Sequence, residues 1–162
     1  MKKFILATMM VLGMASMASA QTVADGKNFA TVTGGQVRSS GDDRTAYGFA
    51  AGREFNPVFR LEAAYDYYDA NSKTKQGQTL VGNAIGQYKI PGTIFVPYAL
   101  VGAGYGWDTF GNRSIYNIGA GVRAEVTKNV DFDLRYKRIG NFSDIAWDKQ
   151  DSVVTAGVSF KF

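Results

Sequence analysis

The sequence predicts an all-β fold: an eight-stranded antiparallel up-and-down transmembrane β-barrel after a cleaved signal peptide. Three observations predict it. The first twenty residues have the pattern of an export signal. Alternation of apolar and polar side chains with a period of two then recurs at near-even spacing. The last such stretch, "AGVSFKF", runs to the final residue and ends on an aromatic.

The leader reads "MKKFILATMMVLGMASMASAQT". Lys2 and Lys3 precede an apolar run from Phe4 to Met14, and Ala18 and Ala20 fit an A-x-A cleavage site. The chain therefore divides into a signal peptide, 1–20, and a barrel domain, 21–162, exported by the Sec route. The apolar run is short for a spanning helix of ~20 residues, which argues against the alternative of an uncleaved anchor. The remainder is long enough for one domain. It has no cysteine, so disulfides do not hold it together. Removing Lys2 and Lys3 from the 18 Lys and Arg leaves them nearly balanced against 14 Asp and Glu. No basic block suggests nucleic acid.

The strands follow in order. "NFATVTGGQVR" reads as a strand whose facing the pattern leaves open. In "TAYGFAAGREF", Tyr47, Phe49 and Ala51 oppose Gly48, Ala50, Gly52 and Glu54. In "FRLEAAYDYY", Phe59, Leu61, Ala63, Tyr65 and Tyr67 oppose Arg60, Glu62, Ala64 and Asp66. "QTLVGNAIGQYK" is again open in its facing. "IFVPYALVGAGYGW" is apolar throughout, with Phe95, Ala99, Val101, Ala103 and Tyr105 set against Gly102 and Gly104. "NIGAGVRAEV" sets Ile118, Ala120, Val122, Ala124 and Val126 against Asn117, Gly119, Gly121, Arg123 and Glu125. "VDFDLRYK" alternates most regularly, with Val130, Phe132, Leu134 and Tyr136 opposite Asp131, Asp133, Arg135 and Lys137. In the last strand Val154, Ala156, Val158, Phe160 and Phe162 oppose Thr155, Gly157, Ser159 and Lys161. The connections "FNPV", "KIPGT" and "TKNV" are short, whereas "SSGDD", "DANSKTKQGQ", "WDTFGNR" and "IGNFSDIAWDKQ" tend to be longer and more polar. That alternation fits a membrane barrel with tight turns at one end and loops at the other.

Alternation does not say which face looks inward. A soluble lipocalin-like, lipid-binding barrel has the same period with its apolar side chains inside. Two features favour the reverse. Gly48, Gly52, Gly119, Gly121 and Gly157 share the charged faces, where a crowded lumen needs small residues. Both signs of charge also alternate closely in Arg60/Glu62, Arg123/Glu125 and Asp133/Arg135, as in an ion-pair network that fills a narrow lumen. The expected network comprises Arg60, Glu62, Arg123, Glu125, Asp131, Asp133, Arg135 and Lys137. Phe55, Tyr65, Tyr67, Tyr88, Tyr105, Trp107 and Phe162 lie near strand ends, as girdle aromatics do.

"PYALVGAGYG", "GAGVRAEVTKNVDFDLRY" and the terminal strand ending in Phe resemble the OmpA-like outer-membrane β-barrel family over most of residues 28–162. The resemblance implies an eight-stranded barrel in the cell outer membrane, with periplasmic termini and contact with lipid and lipopolysaccharide. It also implies folding by the barrel-assembly machinery, which reads a last strand such as Phe162, Phe160 and Val158. The sequence lacks the peptidoglycan-binding domain of full-length members, so a wall-tethering role is not expected.

The chain has no histidine and no cysteine. A Ser-His-Asp triad, a Cys-His pair and a His-ligated zinc site are excluded. So are the histidine-dependent chemistries of the barrel enzymes that resemble this fold. "GAGYGW" has no helix after it to make a nucleotide loop. Asp131 and Asp133 share a face with Arg135 and Lys137, which points to pairing rather than catalysis. The expected protein is a monomeric, non-enzymatic barrel without cofactor or metal. Its role is structural or lies in surface interaction through its outer loops, with an unidentified extracellular ligand. The alternative is a narrow porin-like channel or small-molecule conduit.

Overall fold

The computed structural model describes residues 26–39, 42–69, 77–108, 111–143 and 151–162. The leader, its cleavage site and the 20/21 domain boundary lie outside them. Eight strands form one closed antiparallel barrel in sequence order. They are β1 (Lys27–Ser39), β2 (Asp42–Asn56), β3 (Phe59–Tyr68), β4 (Gly77–Gln87), β5 (Phe95–Asp108), β6 (Gly111–Glu125), β7 (Val130–Asn141) and β8 (Asp151–Lys161). No helix among the described residues is long and apolar enough to cross a membrane. In lipid a strand cannot leave backbone donors unpaired, and closure removes both edges. The seam is the β1–β8 pair, with Val32 opposite Val158 and Ala30 opposite Phe160.

Following partners from strand to strand, Asn28 leads through Arg53, Leu61, Ala84, Val101, Ile118, Arg138 and Ser152 to Arg38. One circuit therefore climbs ten residues, from 28 to 38. With ~3.3 Å per residue and ~4.8 Å between strands, that stagger tilts the strands about 40° from the barrel axis. An 11-residue strand such as β4 or β8 then rises about 27 Å, close to the apolar band of a membrane barrel.

The facing is inside-out. Arg60, Glu62, Asp131 and Arg135 are all at most 3% exposed, while Leu134, Phe132, Val101 and Phe160 are more than half exposed on the outer wall. All six strands with a predicted facing have it. The soluble, lipid-binding alternative needs the opposite arrangement. β1 and β4, left open by the pattern, turn Phe29, Thr31 and Val37, and Val81, Asn83 and Ile85, into the lumen. Their outer faces carry small residues, Ala30 and Gly34 on β1 and Gly82, Ala84 and Gly86 on β4.

The connections differ from expectation at two places. "SSGDD" and "WDTFGNR" are mostly strand: β1 runs to Ser39 and β2 starts at Asp42, and β5 runs to Asp108 and β6 starts at Gly111. These two hairpins are long ribbons, because the pairing simply continues, Arg38 opposite Asp43 in one and Trp107 opposite Asn112 in the other. Most of "DANSKTKQGQ" and "IGNFSDIAWDKQ" lies outside the described residues. At the other end, β2 and β3 are joined through Pro57 and Val58, where the Asn56 side chain accepts from the Val58 amide at 2.9 Å. Thr127 makes the same kind of turn before β7, accepting from the amides of Asn129 and Val130 at 3.2 and 2.9 Å.

Candidate functional site

The lumen contains the chemistry of this molecule, and its strands place it in three tiers. At the end shared by the termini, β2, β6 and β7 converge on Arg123. Its guanidinium lies 3.2 Å from Asp131, 3.3 Å from Glu54 and 3.6 Å from Glu125. Lys161 bridges Glu125 at 2.8 Å and Asp131 at 3.0 Å. Lys89, in the β4–β5 connection, reaches Glu125 at 2.5 Å. That hydrogen bond and the Glu125 charge hold the Lys89 ammonium above its ordinary pKa. Glu54, Lys89, Arg123, Glu125 and Lys161 line a vestibule of about 620 Å³ with Lys27, Gln87 and Lys128.

The middle tier is a cross-barrel network. Arg135 on β7 donates to both oxygens of Glu62 on β3, at 2.6 and 3.1 Å. Glu62 also accepts from Asn83 at 3.0 Å and from Arg60 at 3.4 Å. Arg60 stacks on the Phe29 ring, 3.7 Å from its centroid. The Tyr98 hydroxyl donates to Asp133 at 2.8 Å and accepts from Arg135 Nε at 3.0 Å. Two residues beyond Arg135 on β7, Lys137 pairs with Asp66 of β3.

The third tier, opposite the termini, is apolar. Val37, Ala46, Tyr68 and Val153 are each at most 6% exposed and pack together, with Ile139 against them. Below it, Ile85, Tyr98 and Leu100 make a second apolar contact. The lumen is thus not a uniform polar column. Cations and carboxylates pair in low dielectric, and apolar side chains exclude water above them.

All eight sequence-predicted network residues face the lumen and lie within ion-pair distance of a partner. The partners differ from those the sequence suggests. Neighbours two apart on one strand, such as Arg123/Glu125 and Asp133/Arg135, sit at 3.6 Å, whereas Arg135 reaches Glu62 across the barrel at 2.6 Å. Sequence reasoning missed Glu54, Asp66, Asn83, Tyr98 and Lys161 as members. Glu54, Asp66 and Lys161 already stood on polar faces and so were findable, but Tyr98 was hidden in an apolar run. Lumen glycines make room for these groups: a Cβ at Gly48 would meet Thr33 and Asp66, one at Gly102 would meet Asn83 and Asn117, and one at Gly121 would meet Tyr98. Among the described residues no group of three or more Asp or Glu could hold a metal ion. Phe162, Phe160 and Val158 line the outer wall of β8, the first two about half exposed.

The family model for the outer membrane protein beta-barrel domain matches residues 4–162. No curated protein matches the sequence. Among solved structures, Neisserial surface protein A superposes with a TM-score of 0.65 at 21% identity, covering 85% of this chain and 97% of that one. The N-terminal β-barrel domain of Pseudomonas aeruginosa OprF gives 0.61 at 20% identity, covering 85% and 100%. A de novo designed transmembrane β-barrel gives 0.59 at 18% identity, covering 86% and 98%. A designed barrel scores beside natural ones, so these likenesses speak for the fold alone.

Proposed function

This chain belongs to the outer membrane protein beta-barrel domain family, and from that premise we propose that it is a non-enzymatic structural or surface-interaction protein of the bacterial outer membrane. The barrel is the anchor. Recognition is the task of the connections opposite the termini, 69–76 and 142–150, and of the two long hairpins between them. The termini face the periplasm. The protein is exported by the Sec route, assembled by the barrel-assembly machinery and surrounded by phospholipid and lipopolysaccharide as a monomer.

The observation that supports this reading is the filled lumen. An eight-stranded barrel has room for side chains and little else. Here Arg135 and Glu62 span it, and Val37, Ala46, Tyr68 and Val153 cap it. The absence of histidine and cysteine from the whole chain removes the usual nucleophile–base pairs.

The runner-up is a narrow conduit, favoured by the charged vestibule at the terminal end. Planar bilayers separate the two. Purified protein should give little steady conductance, and large reproducible single-channel steps would replace the structural reading with the channel one.

A further inference from the structure

A cavity of about 1040 Å³ lies on the outer wall and not in the lumen. Its floor is one hydrogen-bonded row of small residues across four strands: Ala51, Ala63, Gly82 and Ala103. The next outward row towards the loops is Phe49, Tyr65, Leu80 and Tyr105, and the row below includes Leu61 and Val101. The outer surface is therefore a furrow between two ridges. Because the strands tilt about 40°, the row climbs at that angle from the membrane plane, and three strand spacings carry it ~14 Å. One end is closed by Tyr116 and Phe142, whose ring centroids are 5.4 Å apart. The other end, nearer the termini, holds Arg53, with its guanidinium 5.9 Å from the Phe55 ring centroid.

Gly82 separates this furrow from ordinary packing. A Cβ at Gly102 or Gly121 would collide with lumen side chains, whereas one at Gly82 would meet only the Ala103 carbonyl, at 3.9 Å. Among the described residues nothing requires a glycine there. The empty volume faces lipid.

We propose that the furrow docks one acyl chain of a periplasmic-leaflet phospholipid, with its anionic head group at Arg53. Charge complementarity fixes the polarity: the cation sits at the end that the reading above places in the periplasm, and an arginine there reaches the head-group level along its own stem. The length fits as well, since a slanted ~14 Å furrow rises about 9 Å, within one leaflet of a ~30 Å hydrocarbon core. The inference rests on the membrane placement proposed above.

The test uses protein refolded into vesicles of equal parts phosphatidylethanolamine and phosphatidylglycerol, then released in mild detergent for native mass spectrometry. Wild type should retain one phospholipid, enriched in phosphatidylglycerol. Gly82→Leu fills the furrow without touching the lumen and should remove that lipid. Arg53→Gln should keep the furrow and lower retention of phosphatidylglycerol about fivefold, the effect of one interfacial cation. Boiling-dependent gel mobility confirms that each variant is folded and so separates failure of the site from failure of the barrel. Lipid-free wild type, retention unchanged by Gly82→Leu, or a dimer that buries the furrow would each overturn the proposal.

Discussion

Arg135 and Glu62 lie on strands four apart in an eight-stranded ring, on opposite walls of the barrel, and meet through two hydrogen bonds of 2.6 and 3.1 Å. Both are at most 3% exposed. A bidentate pair in this setting offsets the cost of desolvating two charges, but only while both are present. Glu62 holds Arg60 too, so it is the more connected partner.

Glu62→Ala is accordingly expected to destabilise the barrel by about 3–5 kcal/mol, because it leaves Arg135 and Arg60 buried without their shared carboxylate. Replacing the pair together, Glu62→Leu with Arg135→Met, should cost far less than the sum of the two single changes. Urea unfolding in detergent micelles, run as a double-mutant cycle, measures the coupling. Additive single and double variants would show that the contact does not hold the walls together.

The cross-barrel partners mark the limit of what the sequence shows. "VDFDLRYK" gave its facing outright, because every second residue is charged and every other one apolar. Which carboxylate takes Arg135 depends on stagger, and a ten-residue climb per circuit cannot be read from one strand. β1 and β4 resisted for a different reason. Val37, Val81 and Ile85 point inward and are buried, Val37 and Ile85 in apolar clusters, while Gly34, Gly82 and Gly86 point out. That reverses the usual polarity of the wall at those positions, and alternation alone cannot detect it. The long β1–β2 and β5–β6 hairpins were missed because polar, glycine-rich segments read as loops even where pairing continues through them.

Leu134 tests the facing. It is 53% exposed on the outer wall, between Phe132 and Tyr136. Leu134→Arg should cost about 2–4 kcal/mol if the position lies near the bilayer midplane. Leu134→Cys offers the only thiol in the chain, and a fluorophore there should be quenched by membrane-embedded quenchers. A water-exposed signal would reverse the assignment of both walls.

Glycines on the two walls should respond in opposite ways. Gly121 has the Tyr98 hydroxyl and ring against the place a Cβ would occupy, so Gly121→Val forces Tyr98 off Asp133 and Arg135. Overpacking of this kind costs about 1–3 kcal/mol. Gly86 has nothing within 4 Å of that place, and Gly86→Ala should leave the unfolding midpoint unchanged within about 0.5 kcal/mol. Equal losses at both positions would mean that lumen crowding is not what selects glycine.

Phe162 closes the chain and the barrel together. Its amide donates to the Asn28 carbonyl at 3.0 Å, and the Asn28 amide donates to the Phe162 carbonyl at 3.1 Å. Its ring is 53% exposed on the outer wall, at the end where an aromatic belt meets the interface. Two roles are open to such a ring. It contributes burial in lipid, about 1.5–3 kcal/mol, or it is also read during assembly with Phe160 and Val158 as part of the last strand. Phe162→Ala separates these roles because it keeps the backbone pair with Asn28. The variant should refold in detergent with a modest loss of stability. In cells it should accumulate unfolded in the periplasm, followed by pulse-labelling and the boiling-dependent gel shift. Assembly in cells at the wild-type rate would leave Phe162 as an anchor only.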